Sequence, residues 1–134
     1  MELGSMCCPC DSNIANLGEI TEDKVAQIKN STYRASAFCG TSWDELSKSI
    51  TPTSKLMYGV FYLSPAMYHR FHSPCKWAAE TTRHFTGEVF PVFKSFVAKF
   101  NNLFPVNERI VVSGKWDGNR PIHYGAVAAY NVKI

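Results

Sequence analysis

Two histidines three residues apart, His69 and His72, lie inside the proline-flanked string Tyr62-Leu63-Ser64-Pro65-Ala66-Met67-Tyr68-His69-Arg70-Phe71-His72-Ser73-Pro74. Imidazole exchanges a proton near neutral pH, so two rings aimed at one point can serve there as acid and base. Residues i and i+3 share a face of a helix. With Pro65 tolerated at the first position, the sequence predicts one helical turn over 66–72 that turns both rings to the same side. Arg70 between them carries a fork suited to a carboxylate or phosphate, although a solvated arginine fits nearly as well. Taken alone, the plainer reading of the pair is one surface histidine and one hydrogen-bonded core histidine. Cys7-x-x-Cys10 offers a rival, because it adds up with His69 and His72 to four zinc ligands. The two pairs are far apart in sequence, however, and Cys8 crowds the first. His84 and His123 have no partner visible in the sequence and read as structural.

Short strands must position these residues. Residues 7–18 read as a turn leading into a strand, and 21–28 as a second strand. Residues 33–49 hold one short helix that Ser42 or Asp44 can cap. The run from Leu56 to Leu63 is apolar and rich in β-formers, which predicts a buried strand closed by Ser64-Pro65. A further β region spans 77–89, with Gly87 at a turn. Phe90, Phe93, Val97, Phe100 and Phe104 recur at helical spacing between Pro91 and Pro105. With Lys94 and Lys99 that stretch can be an interfacial helix, while core packing explains it at least as well. A strand starts at Arg109, Asp117-Gly118 marks a turn with Trp116 as its aromatic, and a last strand covers 123–132. The fold class expected is mainly β (α+β), a sandwich or partly open barrel of short strands with one or two short helices. The strand pattern runs to Ile134 and leaves an edge for another segment to pair with.

Composition bounds the function classes. The chain has 134 residues, one domain's worth, with 46% hydrophobic and 19% charged residues. A net charge of +3 favours an anionic membrane face weakly and is too small to argue for nucleic acid. No apolar run is long enough to span a bilayer as a helix. Five cysteines, three of them clustered as Cys7, Cys8 and Cys10, do not form a disulfide framework and read as reduced thiols. Residues 1–6 carry Gly4-Ser5-Met6, which looks like a vector-derived scar before a second start; the domain is then 7–134. Any targeting or anchoring segment is expected upstream.

The string from Tyr62 to Pro74 resembles the Tyr-Leu-Ser-Pro-x-x-Tyr-His-Arg-x-His-x-Pro signature of the phosphatidylserine decarboxylases. Other blocks follow in the family's order. Pro9-Cys10-Asp11-Ser12 resembles its Pro-x-Asp-Gly turn, with Ser12 for Gly. Leu17-Gly18-Glu19-Ile20 and Gln27-Ile28-Lys29-Asn30-Ser31-Thr32-Tyr33 resemble the next strand pair. Gly87-Glu88-Val89-Phe90 and the stretch from Leu103 to Arg109 resemble later blocks. Tyr124 to Val132 is similar to a Val-Gly-Ala strand, with Ala128 for Gly. The resemblance covers about residues 8–134.

It implies a self-cleaving, pyruvoyl-dependent enzyme that converts phosphatidylserine to phosphatidylethanolamine and CO₂. In such enzymes an Asp, a His and a Ser form a protease-like triad. The Asp matches Asp11 and the His matches His72, while the Ser lies in a Gly-Ser-Ser/Thr motif beyond residue 134. Asp11 would fix the tautomer of His72, and His72 would take the serine proton. The serine attacks the carbonyl before it and the resulting ester eliminates. This leaves a β chain, to which these residues correspond, and an α chain that begins with the pyruvoyl cofactor. The cofactor's ketone forms a Schiff base with the lipid amine and accepts the electrons released with CO₂. His69 matches the group that protonates the product carbanion or positions the substrate carboxylate, and Tyr62 and Arg70 are candidate substrate-binding residues. No metal is implied. The resemblance further implies an α-chain partner without which the fold is incomplete, a homodimer as one assembly, and a membrane location. That location is the mitochondrial inner membrane or endoplasmic reticulum in a eukaryote and the inner membrane in a bacterium. The residues given lack the cleavage serine, so the expectation is no decarboxylase activity from them alone. The alternatives are a non-catalytic module of the same fold that binds anionic lipid, and a small zinc-binding domain.

Overall fold

A computed structural model describes residues 5–28 and 31–134. The Gly4 half of the Gly4-Ser5 dipeptide, and Lys29-Asn30 of the second strand pair, lie outside the described residues. Strand β1 (Asn13–Glu19) pairs antiparallel with β4 (Met57–Tyr62), with an irregularity between Ile14 and Asn16. Strand β2 (Lys24–Ile28) pairs with β3 (Ser31–Arg34). The third sheet is a meander of β5 (Trp77–Phe85), β6 (Arg109–Trp116) and β7 (Arg120–Val127). β6 turns into β7 through Asp117-Gly118, both at positive φ. Gly118 takes that conformation without a steric cost. Arg120 closes the turn, pairing with Asp117 at 3.1 Å and lying over the half-buried Trp116 ring.

Short helices fill the connections: α1 (Ala35–Cys39), α2 (Trp43–Ser47), α3 (Lys94–Val97) and α4 (Leu103–Val106). Ser42 caps α2 by accepting the Glu45 N–H at 3.2 Å. Gly40 ends α1 in the left-handed region, its N–H donating to the Ser36 carbonyl. The mainly β, α+β expectation holds, but the strands divide among three small sheets, no barrel closes among the described residues, and the helices outnumber the one or two expected.

The core joins Ile20, Val25, Tyr33, Ala35 and Leu46, with Phe38, Trp43 and Phe104 packed around them. A satellite of Val97 and Leu103 continues it. Each fully buried Val or Leu contributes about 1.5–3 kcal/mol. Gly125 of β7 lets α1 approach the sheet, because a Cβ there would run into the Phe38 ring.

Four buried polar residues tie the layers together, and all are hydrogen-bonded. The Gln27 amide donates to Ser31 Oγ (2.6 Å) and the Phe100 carbonyl (2.9 Å), and accepts the Phe104 N–H (3.0 Å). Asn107 donates to the carbonyls of Phe90 (2.9 Å) and Ala128 (3.0 Å) and accepts the Phe90 N–H (3.1 Å). Arg109 donates to the carbonyls of Phe38, Ala37 and Pro105, beneath the Phe85 ring at 4.1 Å.

Three local expectations are corrected. No helical turn forms over 66–72; a β-turn forms at Ser64–Met67, closed by the Met67 N–H to the Ser64 carbonyl (2.9 Å), and an irregular segment follows it. Residues 90–104 are not one amphipathic helix, because Asn102 adopts a left-handed conformation that separates α3 from α4. The last strand ends at Val127, and only an isolated bridge, Ala129 with Val132, follows.

Candidate functional site

Two pairings, one on each side of Asp11, build the site. On one side the His72 N–H donates to the Pro9 carbonyl at 2.7 Å, and the Cys7 N–H donates to the Pro74 carbonyl at 2.7 Å. On the other side Asn13 opens β1 opposite Tyr62, the last residue of β4. Asp11 is thus the midpoint of a short bridge, 9–13, whose ends are fastened to the two ends of the loop 62–72. Pro9 and Cys10 are buried and anchor this bridge, while Asp11 is exposed. His69, Arg70 and His72 are exposed on the loop and Tyr62 is half-buried. The structure therefore gathers all five residues around one loop. It does so by strand-like pairing rather than by the helical face expected for His69 and His72. The Asp11 carboxylate and the His72 ring make no hydrogen bond to each other.

Each imidazole has its own setting. His69 Nδ1 lies 2.6 Å from the Met67 carbonyl. A carbonyl only accepts, so Nδ1 carries the proton and Nε2 is the nitrogen left for acid–base exchange. His69 lines a cleft of about 370 Å³ with Pro65, Asn131, Val132 and Lys133. No Asp or Glu is among these lining residues, and Lys133 is the one basic side chain in the set besides His69. The His72 ring stacks on Tyr68 at 6.3 Å between centroids. Phe71 packs on Tyr124 of β7 at 5.5 Å, which fastens the loop to the third sheet. Burial pushes the Tyr124 phenol up to about 12, and the neighbouring Cys10 and Cys8 thiols add to the shift. Tyr124 thus stays neutral and acts as packing.

A second cavity of about 180 Å³ lies between α2 and the third sheet. His123 Nδ1 meets Ser113 Oγ there at 2.8 Å. Burial, and then the charge of Arg83, lower the His123 pKa. His84 bonds Glu108 at 2.8 Å. Both histidines have the structural partners that the sequence left unnamed.

The zinc arrangement is not assembled. The five cysteines are thiols rather than disulfides, and among the described residues no three His, Cys, Asp or Glu side chains converge as metal ligands. The residues that sequence reasoning missed are Tyr124, Asn131 and Lys133. Their signal is tertiary: they reach the loop only through the packing of Phe71 and the course of the chain after β7. Tyr68 lies inside the signature, but its spacing alone assigns it no role.

The family model described as phosphatidylserine decarboxylase matches residues 2–134. A phosphatidylserine decarboxylase proenzyme of Plasmodium falciparum is 40% identical over 128 residues, which is 96% of this chain and 34% of that protein. The mitochondrial phosphatidylserine decarboxylase proenzyme 1 of Toxoplasma gondii is 42% identical, with 96% of this chain and 29% of that protein covered. A phosphatidylserine decarboxylase proenzyme of Helicobacter pylori is 39% identical, with 92% of this chain and 44% of that protein covered. The chain spans less than half the length of these relatives. No helix among the described residues is long and apolar enough to cross a membrane. On a match that takes in almost every residue, this chain belongs to the phosphatidylserine decarboxylase family.

Proposed function

We propose that this chain supplies the acid–base side chains of a membrane-associated phosphatidylserine decarboxylase, and that Asp11 and His72 first drive serine-type self-cleavage of its precursor. The observation that carries the reading is the double fastening around Asp11, with Pro9 bonded to His72 and Asn13 opposite Tyr62. It keeps a carboxylate and an imidazole on one short loop system, both open to an incoming serine hydroxyl. In the proposed triad Asp11 accepts the Nδ1–H of His72, and Nε2 takes the hydroxyl proton. The precursor's other product, the α chain, is the partner.

The cleft beside His69 suits the lipid headgroup. Its lining mixes the apolar Pro65 and Val132 with His69, Asn131 and Lys133, which fits an acidic substrate and the carbonyl-bearing pyruvoyl group of the family. That group, when bound, supplies the electron sink for loss of CO₂. The chain's own residues do the remaining work. Lys133 balances the carboxylate or phosphate of the headgroup, with Arg70 as a second cation on the loop. His69, held by its Nδ1 bond to Met67, presents Nε2 to give a proton to the carbon that lost CO₂. Tyr62 borders the loop base as a substrate contact.

The test uses the full-length precursor. It should yield two bands on a denaturing gel, and Asp11→Ala and His72→Ala should leave one. His69→Ala should still be cut, yet lose decarboxylation of phosphatidylserine by about a hundredfold or more. Normal cutting by both the Asp11 and His72 variants would end the triad assignment.

A further inference from the structure

The Phe-rich stretch has a structure that the catalytic reading does not use. Phe90, Phe93 and Phe100 are 41%, 43% and 47% exposed. They are not scattered: the half-buried Phe96 touches all three, with ring centroids 6.3, 5.8 and 5.0 Å away. Val89 beside them is also exposed. An aromatic surface of this kind, uncovered by the described residues, marks an interaction site.

Its backbone is held firmly. Gln27 and Ser31 bond the Phe100 carbonyl from beneath at 2.9 and 2.8 Å, and Ser31 bonds the Val97 carbonyl at 3.1 Å. Asn107 takes both the N–H and the C=O of Phe90. The rings are therefore presented on a fixed scaffold rather than waiting to collapse into the core. The polar residues among them are cationic. Lys94 and Lys99 are exposed, no ion pair engages either of them among the described residues, and no acidic residue occurs from 89 to 107.

We infer that this face, Phe90, Phe93, Phe96 and Phe100 with Lys94 and Lys99, is the surface by which the protein sits on an anionic bilayer. Charge decides among occupants. A face destined for a protein core is depleted in lysine. Phenyl rings interleaved with ammonium groups match acyl chains beneath negatively charged headgroups. The inference rests on the proposed lipid substrate only for its biological sense; the surface chemistry stands by itself. It also gives the cleft a neighbour. Asn107, which holds Phe90, donates as well to Ala128, where the chain leaves for residues 131–133 of the His69 cleft. One side chain thus couples the membrane-facing segment to the segment that meets the headgroup.

The test is flotation of the full-length protein with vesicles of phosphatidylcholine and phosphatidylglycerol, an anionic lipid other than the substrate. Phe93→Ser with Phe100→Ser should weaken binding by roughly tenfold or more. Lys94→Glu with Lys99→Glu should weaken it by about twentyfold or more at low salt. Phe93→Trp should keep binding, and its fluorescence should be quenched by brominated lipid beyond the quenching of the wild type. An indole introduced by Phe93→Trp that is indifferent to brominated lipid overturns the inference. So does a Phe93→Ser, Phe100→Ser protein that floats normally. A serine variant that aggregates, while the introduced indole of the Phe93→Trp protein is shielded from both lipid and aqueous quencher, would assign the face to the rest of the polypeptide, and also overturns it. Failure of the decarboxylase reading alone would abolish phosphatidylethanolamine formation and leave every flotation result unchanged.

Discussion

Replacing Asn107 by alanine strikes the point where three segments meet. The residue is fully buried, and its side chain makes three hydrogen bonds, to Phe90 N–H, Phe90 C=O and Ala128 C=O. Losing them at about 1 kcal/mol each gives about 3 kcal/mol. The three backbone groups left behind are partly shielded from water, and each one that water cannot reach adds a desolvation cost of about 1–3 kcal/mol. The expected loss is therefore about 3–5 kcal/mol, a large fraction of the ordinary stability of a domain. Urea unfolding of the processed protein, followed by tryptophan fluorescence, measures it from the shift of midpoint at constant m. Asn107→Asp keeps the acceptor but removes the amide donors facing two carbonyls. It should be nearly as destabilising at neutral pH and milder in acid, where a protonated carboxyl can donate again. A change below about 1 kcal/mol for Asn107→Ala would refute the claim that this side chain holds the Phe90 and Ala128 segments together.

Inserting one glycine between Asp11 and Ser12 lengthens the 9–13 bridge by up to about 3.5 Å, beyond hydrogen-bond tolerance. Self-cleavage of the precursor should stop while the thermal midpoint falls by only a few degrees; retained cleavage on a gel would show that the bridge does not set the geometry. Gly125→Val drives a side chain into the Phe38 ring, which already occupies the space of the added Cβ, and should cost about 1–3 kcal/mol or more in chemical denaturation. His123 titrates with a lowered pKa because it is buried and faces Arg83. Above the unfolded-state value of about 6.5 neither state binds the proton; below it the unfolded chain binds first, so stability falls as pH drops from there to the folded value. His123→Gln should flatten that part of a stability–pH curve, and an unchanged slope would dismiss the contribution.

Sequence reading succeeded where the local signal and the tertiary structure agree. The β-formers from Met57 to Tyr62 make the strand expected, although not a buried one, since none of its residues is buried and Met57 is largely exposed. Asp117-Gly118 has the residues its positive φ values need, and Ser42 caps its helix with its own hydroxyl. It failed where a distant group decides. The prolines around His69 and His72 are consistent with a helical turn, but the His72 N–H is claimed by Pro9, and nothing between 62 and 74 announces that. The phenylalanine spacing from 90 to 104 fits a helix, yet Gln27 and Ser31 claim carbonyls there and Asn102 turns left-handed. The candidate site was legible as a family signature. Its assembly was not, because Asp11 reaches the histidine loop through two pairings of high sequence separation. Tyr124 and Lys133 carry no local mark of their positions beside that loop.

Arg109 has a consequence for how the fold answers acid. The residue is only 5% exposed, and its guanidinium is balanced by backbone dipoles from Ala37, Phe38 and Pro105 rather than by a carboxylate. Carbonyl oxygens do not titrate, and arginine keeps its charge across the working range. The rivet between the helical layer and the third sheet is therefore indifferent to acidity. A drop in pH can then weaken the fold through His123 while leaving this joint intact.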